Sequence, residues 1–207
     1  MADFFDRADA VCAQHNVLAH PFYERWSRGE LSRQELATYS GQYRHAVVAL
    51  AHATAQAGNQ AHAQEEQDHI ELWDQFVAAV GGDSEVPATQ STTACTLVWN
   101  DDDRDQAATL AVLYAIESSQ PAISETKRTG LLEHYGALPS SDATRYFDVH
   151  ADLDRAHAAE DRQQLSQLLE PGDEPRLLAE IETALRGNWR LLDGLEGDAG
   201  SVGSGTS

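Results

Sequence analysis

Apolar residues recur along nearly the whole chain at the three- and four-residue spacing of amphipathic α-helices. Ser32 and Glu35 form a capping box, which predicts the start of a long helix that ends near Gly58. Pro121 is expected to interrupt a later helix, because proline disfavours a helical conformation in the residue before it. The predicted helices cover about 3–16, 20–29, 32–58, 60–80, 104–120, 121–135, 141–159 with a continuation or kink through 160–169, and 174–195.

Two segments lack this periodicity. Residues 82–103 form the only long stretch predicted to be irregular, with Pro87, several threonines and an acidic run at 101–103. Residues 197–207 are rich in Gly and Ser and are predicted to be a disordered tail. Since no internal repeat or second domain is evident, the sequence predicts an all-α, single-domain bundle of about seven helices over residues 1–196.

Charge narrows the classes of function. The chain has 34 acidic and 14 basic residues, a net charge of −20, and its only lysine is Lys127. This balance disfavours binding to nucleic acid or to an anionic membrane surface, because both need basic surfaces. An acidic surface almost without lysine is typical of proteins from salt-rich cells, where a Debye length of about 3 Å screens self-repulsion; an ordinary acidic protein is the alternative.

A cytoplasmic location is expected from three further features. The first residues lack the basic and apolar regions of a signal peptide, and no apolar run approaches the length of a membrane span. Cys12 and Cys95 form neither a CxxC pair nor a disulfide framework, which suits a reducing compartment.

Histidines and carboxylates form three candidate metal-binding patterns. His150, Asp154 and His157 are spaced i, i+4 and i+7, so they share one stripe of a helix. Glu66 and His69 form an ExxH pair on another helix. Glu65, at i−4 from His69, is an alternative to Glu66, and His62 lies two turns before His69 on the same face.

Glu117 supplies the third pattern, because it lies in an otherwise apolar helical segment, where a lone buried charge is costly. Three imidazoles and three carboxylates from three helices make a mixed shell that suits two iron or manganese ions. Each pattern also has an ordinary structural explanation. The stripe could be an exposed polar face or a core histidine bonded to Asp154, and Glu117 could pair with an arginine.

Four motifs, in order along residues 15–160, resemble those of the haem-oxygenase-like superfamily that contains the TenA and PqqC proteins. They are His20-Pro-Phe-Tyr-Glu-Arg-Trp26 with the following Gly29 and Tyr39, His69-Ile-Glu-Leu-Trp73, Tyr114-Ala-Ile-Glu117 through Lys127 to Gly136, and Tyr146-Phe147 followed by the histidine stripe. The ligand set is similar to that of the diiron oxidases and oxygenases of this superfamily, which bind no haem.

The resemblance implies a non-haem oxidase that binds two iron ions and uses O2 as co-substrate. Manganese is the alternative metal. The ligands it implies are Glu66, His69, Glu117, His150, Asp154 and His157. Some members place the first Glu seven residues before the His, where this chain has His62. A homodimer is expected from the fold, and the substrate is a small organic molecule or the protein itself.

Within the superfamily, the chain is similar to the CADD group, which forms para-aminobenzoate from one of its own tyrosines. The group has a lysine ten residues after the central Glu, matching Lys127, and a tyrosine four residues before the stripe, matching Tyr146. The tyrosine that is consumed would correspond to Tyr23. A further tyrosine before the central Glu is replaced by Ile116. Lys127 is also noteworthy by itself, because an amine can lose its proton and act as a nucleophile, unlike arginine.

Two other classes of function stay open. One is an enzyme without metal, either a PqqC-like oxidase or a TenA-like thiamin-salvage hydrolase. The TenA proteins use a cysteine nucleophile on a central helix, and neither Cys12 nor Cys95 is predicted to lie in such a place. The other is a non-catalytic helical binding or regulatory protein in which the polar residues form a buried network.

Overall fold

The computed structural model describes residues 3–202, and all regular secondary structure within that range is helical. A short 3-10 turn, Val17–Ala19, lies between the first two helices. The helices are α1 (Phe4–Gln14), α2 (Pro21–Ser27), α3 (Arg33–Ala57), α4 (Gln60–Ala79), α5 (Gln90–Trp99), α6 (Gln106–His134), α7 (Arg145–Leu168) and α8 (Glu174–Val202).

Local sequence signals set several helix ends. Ser32 and Glu35 form the predicted capping box: the Ser32 hydroxyl accepts from the Glu35 N–H, and the Glu35 carboxylate accepts from the Ser32 N–H. Gly58 ends α3 with a φ of +91°, a left-handed conformation that glycine adopts without strain. These two ends of the long α3 are therefore confirmed.

Three predictions about the elements are wrong. Residues 82–103 contain α5, which Thr89 caps by accepting from the Thr92 N–H, and which buries Cys95 and Trp99 in the core. The structure also has one continuous α6 through Pro121, and α8 extends past Gly197 to Val202. By contrast, the expected continuation of the 141–159 helix through 160–169 is confirmed, because α7 runs unbroken to Leu168. The described chain thus has eight α-helices and a 3-10 turn rather than about seven helices, and residues 203–207 of the predicted tail lie outside it.

Packing explains why α6 continues through Pro121. Buried residues run along the helix on both sides of the proline, from Ala108 to Leu131, so tertiary contacts hold each half in line. Proline removes only one backbone hydrogen bond, the one that would reach the carbonyl of Glu117. The local penalty is therefore small beside the apolar surface that the whole helix buries.

The core has two chemically different parts, both formed where α6 and α7 pack together. On one side, α4 joins α6 and α7 and contributes polar side chains. On the other, α2 and α3 approach α6 and contribute aromatic ones. Trp26 packs so closely on α6 that a Cβ added at Gly130 would lie 2.5 Å from its ring, and its indole N–H donates to the Lys127 carbonyl.

None of the helices within residues 3–202 combines the length and the apolar character needed to cross a bilayer.

Candidate metal centre

The six residues proposed as ligands from the sequence meet between α4, α6 and α7. All are buried, with at most 6% of their surface exposed. Five of them form two groups of three that share Glu66, and Glu117 belongs to a third group with His157 and His62; within each group the ligand atoms lie within 4.8 Å of one another. We call this the carboxylate–histidine cluster; with two further members described below, it consists of His62, Glu66, His69, Glu117, His150, Asp154, His157 and Asp161.

Glu66, His69 and His150 form the first group of three. His69 Nδ1 lies 3.2 Å from Glu66 Oε1, which links the two members of the ExxH pair. The Nδ1 of His150 lies 2.7 Å from the Tyr146 carbonyl, one turn earlier in α7. Because a carbonyl only accepts, Nδ1 carries the proton, and the unprotonated Nε2, which has no hydrogen-bond partner, is free to bind a metal.

Glu66, Asp154 and His157 form a second group that shares Glu66 with the first. His157 Nδ1 lies 3.8 Å from Glu66 Oε1 and 4.0 Å from Asp154 Oδ1. Its other nitrogen, Nε2, lies 2.9 Å from the carboxylate of Glu65, which is half exposed. The structure therefore gives the two glutamates different places: Glu66 lies inside the cluster, and Glu65 orients His157 from the surface.

Two members of the cluster were absent from the sequence-based ligand set. His62 is buried on α4, and its Nε2 lies 3.2 Å from Glu117 Oε1. Asp161 is buried on α7, at i+4 from His157, and it continues the stripe by one more turn. That spacing was visible in the sequence, and so was the position of His62 on the face of His69. What the sequence could not show was that the buried face of each helix extends that far.

The side chains of the cluster shift one another's pKa values. Burial, with repulsion from Glu66 next in importance, raises the pKa of Glu117 well above its usual value and that of Asp154 to about 8. Burial alone would also raise the pKa of Glu66, but the adjacent imidazoles of His62 and His69 outweigh it and lower that pKa. Burial lowers the pKa of His150 to about 4 and so keeps its imidazole neutral.

Unpartnered polar atoms show that this donor set fits metal ions. Buried groups normally have a hydrogen-bond partner, because leaving one without costs about 1–3 kcal/mol. Among the described residues, cluster atoms without one are His62 Nδ1 and Nε2, Glu66 Oε2, both Glu117 carboxyl oxygens, His150 Nε2, Asp154 Oδ2, His157 Nδ1 and Asp161 Oδ2. Imidazole nitrogens and carboxylate oxygens that converge without partners are what a divalent cation would satisfy.

Lys127 lies in the aromatic part of the core, which we call the aromatic chamber. Its side chain is 1% exposed, and its Nζ lies 4.5 Å from the centroid of the Tyr43 ring and 5.4 Å from that of Tyr23. Burial lowers its pKa to about 7, because the attraction of Asp154 is too weak to compensate. The other rings within 6 Å of Nζ are those of Tyr39, Trp73 and Phe147.

The two tyrosines proposed from the sequence lie in different places. Tyr23 is fully buried in the aromatic chamber, and its hydroxyl is 2.9 Å from that of Tyr39. Tyr146 lies between the chamber and the cluster: its ring stacks on His150 at 3.8 Å and contacts Trp73 at 4.7 Å. The amine of Lys127 is closer to the ring of Tyr43, which was not among the predicted catalytic residues, than to that of Tyr23.

The cysteines have no environment that would activate them. Burial raises the pKa of Cys12 to about 11 and that of Cys95 further. A thiol is nucleophilic as the thiolate, so both are poor nucleophiles at neutral pH. The structure thus gives no support to cysteine-based hydrolysis.

Comparison with known proteins agrees with this geometry. The sequence model of a family described as iron-containing redox enzymes matches residues 37–193. A 4-aminobenzoate synthase of Chlamydia muridarum is 29% identical, over 92% of this chain and 89% of its own length. One from Nitrosomonas europaea is 27% identical, over 93% and 90%. A crystal structure from Shewanella denitrificans, of a domain of unknown function with a haem-oxygenase-like fold, superposes with a TM-score of 0.81 at 19% identity over 100% of this chain and 97% of its own.

Proposed function

The chain belongs to the family of iron-containing redox enzymes, and from that premise we propose that it is a non-haem diiron oxidase that forms 4-aminobenzoate with O2 as co-substrate. The name of the relatives from Chlamydia and Nitrosomonas supports the product. The carboxylate–histidine cluster supports the metals, and the buried Lys127 supports an amine-dependent reaction. A homodimer and a cytoplasmic location remain predictions.

The cluster would hold the two metal ions. Glu66, His69 and His150, which form one group of three, would hold one ion. Glu117, Asp154 and His157 would help to hold the other. Bound iron would supply O2 activation and the oxidation of an organic substrate. Around it, the chain supplies orientation: the Tyr146 carbonyl fixes the tautomer of His150, and the Glu65 carboxylate holds the ring of His157.

The aromatic chamber would hold the organic reactants. The product has an aromatic ring, a one-carbon carboxyl group and an amine, and the side chain of Tyr23 can supply the ring and that carbon. Lys127 would supply the nitrogen, because burial keeps part of its amine neutral at neutral pH. The reaction would break the Cα–Cβ bond of Tyr23 and the Cε–Nζ bond of Lys127, replace the phenol oxygen by that nitrogen, and oxidise Cβ to the carboxyl carbon with O2 as the oxidant. The surrounding rings exclude water from both side chains. Peptide mass mapping after turnover would identify the tyrosine that is consumed and would separate Tyr23 from the nearer Tyr43.

The observation that carries the metal assignment is the set of unpartnered donor atoms at the centre of the cluster. A catalytically silent binding protein would be expected to satisfy these atoms within the chain, because unpaired buried polar groups lower the free energy of unfolding.

Substitution of Asp154 tests the function. We expect Asp154→Ala to bind fewer than two iron ions per chain after anaerobic loading with Fe(II), and to form no 4-aminobenzoate on exposure to O2. Glu160→Ala is the matched control, because Glu160 is an exposed acidic residue of the same helix. Elemental analysis and chromatography measure the two quantities. Full metal content and turnover in Asp154→Ala would contradict the assignment.

A further inference from the structure

His62 is a buried imidazole for which the proposed function has no role. It lies in the first turn of α4, where the Asn59 side chain caps the helix by accepting from the His62 N–H at 3.2 Å. Only 3% of the residue is exposed, and neither ring nitrogen has a hydrogen-bond partner among the described residues. An ion pair with the cluster carboxylates would engage only Nε2 and would leave Nδ1 buried without a partner, which is costly.

The ring of His62 is directed at the cluster. Its Nε2 lies 3.2 Å from Glu117 Oε1 and 3.7 Å from Glu66 Oε1. Its ring is 3.8 Å from that of His157, centroid to centroid, at 33°. Donor atoms of His62, Glu117 and His157 all lie within 4.8 Å of one another. One carboxylate and two imidazoles from three helices thus converge on a common point.

This group of three has the same composition as the first. Glu66, His69 and His150 are also one carboxylate and two imidazoles. Two histidines and one carboxylate are the ligand set that is diagnostic of non-haem Fe(II) sites with open positions. The described part of the cluster therefore contains this ligand set twice.

We propose that His62 is a ligand of the second metal ion, which it binds together with Glu117 and His157. This inference rests on the proposed diiron function and adds a ligand to it. Asp154, which also lies near Glu66 and His157, would then stand between the two triads.

The additional imidazole has a consequence for metal preference. With His62, the second position has two nitrogen donors, and manganese prefers carboxylate and other oxygen ligands, whereas imidazole suits iron. The second position should therefore select Fe(II) over Mn(II). Exchange of His62 for a carboxylate should shift that preference towards manganese.

Diffraction from the unsubstituted protein is the direct test, because it does not depend on whether a variant folds. Crystals loaded anaerobically with Fe(II) should show two anomalous peaks at the iron edge, one of them within about 2.3 Å of a ring nitrogen of His62. Two peaks with neither at bonding distance from His62 would overturn the role of His62 and leave the diiron function intact. No peak at the cluster would overturn both.

Metal content of variants gives a second, independent test. We expect His62→Ala to retain one ion where the unsubstituted chain binds two, with at least about tenfold weaker binding of the other. His62→Glu should retain two ions and take up a larger share of manganese from an equimolar mixture of Fe(II) and Mn(II). The control is His52→Ala, since His52 is exposed on α3. Two tightly bound ions in His62→Ala, or an unchanged metal ratio in His62→Glu, would contradict the proposal.

Discussion

The carboxylate–histidine cluster and the aromatic chamber are equally buried, but they treat charge in opposite ways. In the cluster, several oxygen and nitrogen acceptors converge without a partner, and carboxylates such as Glu117 raise one another's energy. In the chamber, a single amine is surrounded by aromatic rings. The cluster thus favours the binding of a cation, whereas burial in the chamber disfavours the protonated form of Lys127.

The difference shows that burial alone does not determine the chemistry of a site. Desolvation is the largest cause of the pKa shifts of both Asp154 and Lys127, and it disfavours the charged form of each. An external cation can restore the charge of the carboxylates, because many of them converge on one point. The lone amine has no such partner, so it stays partly neutral and nucleophilic.

Replacement of Lys127 should show most clearly that the two regions have different roles. We expect Lys127→Met to reduce 4-aminobenzoate formation by at least about 100-fold, while the chain still binds two iron ions. Methionine fills a similar volume without a polar atom, so the melting temperature should stay the same or rise. Product assay, elemental analysis and calorimetry measure the three effects. Loss of iron together with the product would show that the two regions do not act separately.

Neutralising a carboxylate should have the complementary effect on the cluster. Burial raises the pKa of Glu117 and so disfavours its charged form without metal, which is why Glu117→Gln should change the stability of the metal-free protein little. The stabilisation by Fe(II), about 2.7 kcal/mol at 100 times the dissociation constant, should be largely lost. Thermal unfolding with and without Fe(II) measures both. Equal stabilisation of Glu117→Gln and the unsubstituted protein would exclude Glu117 as a ligand.

The pH dependence of product formation should report the amine. The neutral form of Lys127 increases as pH rises through its pKa of about 7, so the rate should increase roughly tenfold between pH 6 and 8. The holoenzyme should be used, and its iron content measured at each pH, because the raised pKa of Asp154 makes metal binding itself pH-dependent. A flat profile at constant iron content would contradict the role of the neutral amine.

The same lysine should make the free energy of unfolding depend on pH. Its pKa in the folded chain, about 7, lies below the ordinary value of 10.5, so between these pH values the unfolded chain binds the proton more tightly. The contribution of Lys127 to stability therefore rises with pH across this window and is lowest below pH 7. Lys127→Met should remove that part of the dependence.

Local signals and one resemblance predicted much of the fold. The capping box at Ser32 and the left-handed Gly58 depend on neighbouring residues only, so they could be recognised from the sequence. The threonine-rich α5 and the passage of α6 through Pro121 depend on distant contacts: Cys95 and Trp99 are buried in the core, and both halves of α6 pack against other helices. Tertiary packing overrode weak local propensity in both cases.

The residues of the candidate site could likewise be predicted only in part from the sequence. Helical spacing placed His150, Asp154 and His157 on one stripe, and the structure buries all three. His62 and Asp161 were not included, because spacing shows which residues share a face but not how much of that face is covered. The proximity of Lys127 to the Tyr43 ring was also inaccessible, since it joins residues of α3 and α6 that are far apart in the sequence.

Tyr146 tests the boundary between the two regions, and here we expect the smallest effect. Its ring stacks on His150 and contacts Trp73, whereas its carbonyl, which accepts from His150, belongs to the backbone. Tyr146→Phe keeps the ring and the carbonyl, so iron binding should be unchanged and product formation should fall only about two- to threefold if the ring alone matters. A loss as large as that of Lys127→Met, with both ions still bound, would show instead that the hydroxyl takes part in the reaction and that the chamber extends to the metal ligands.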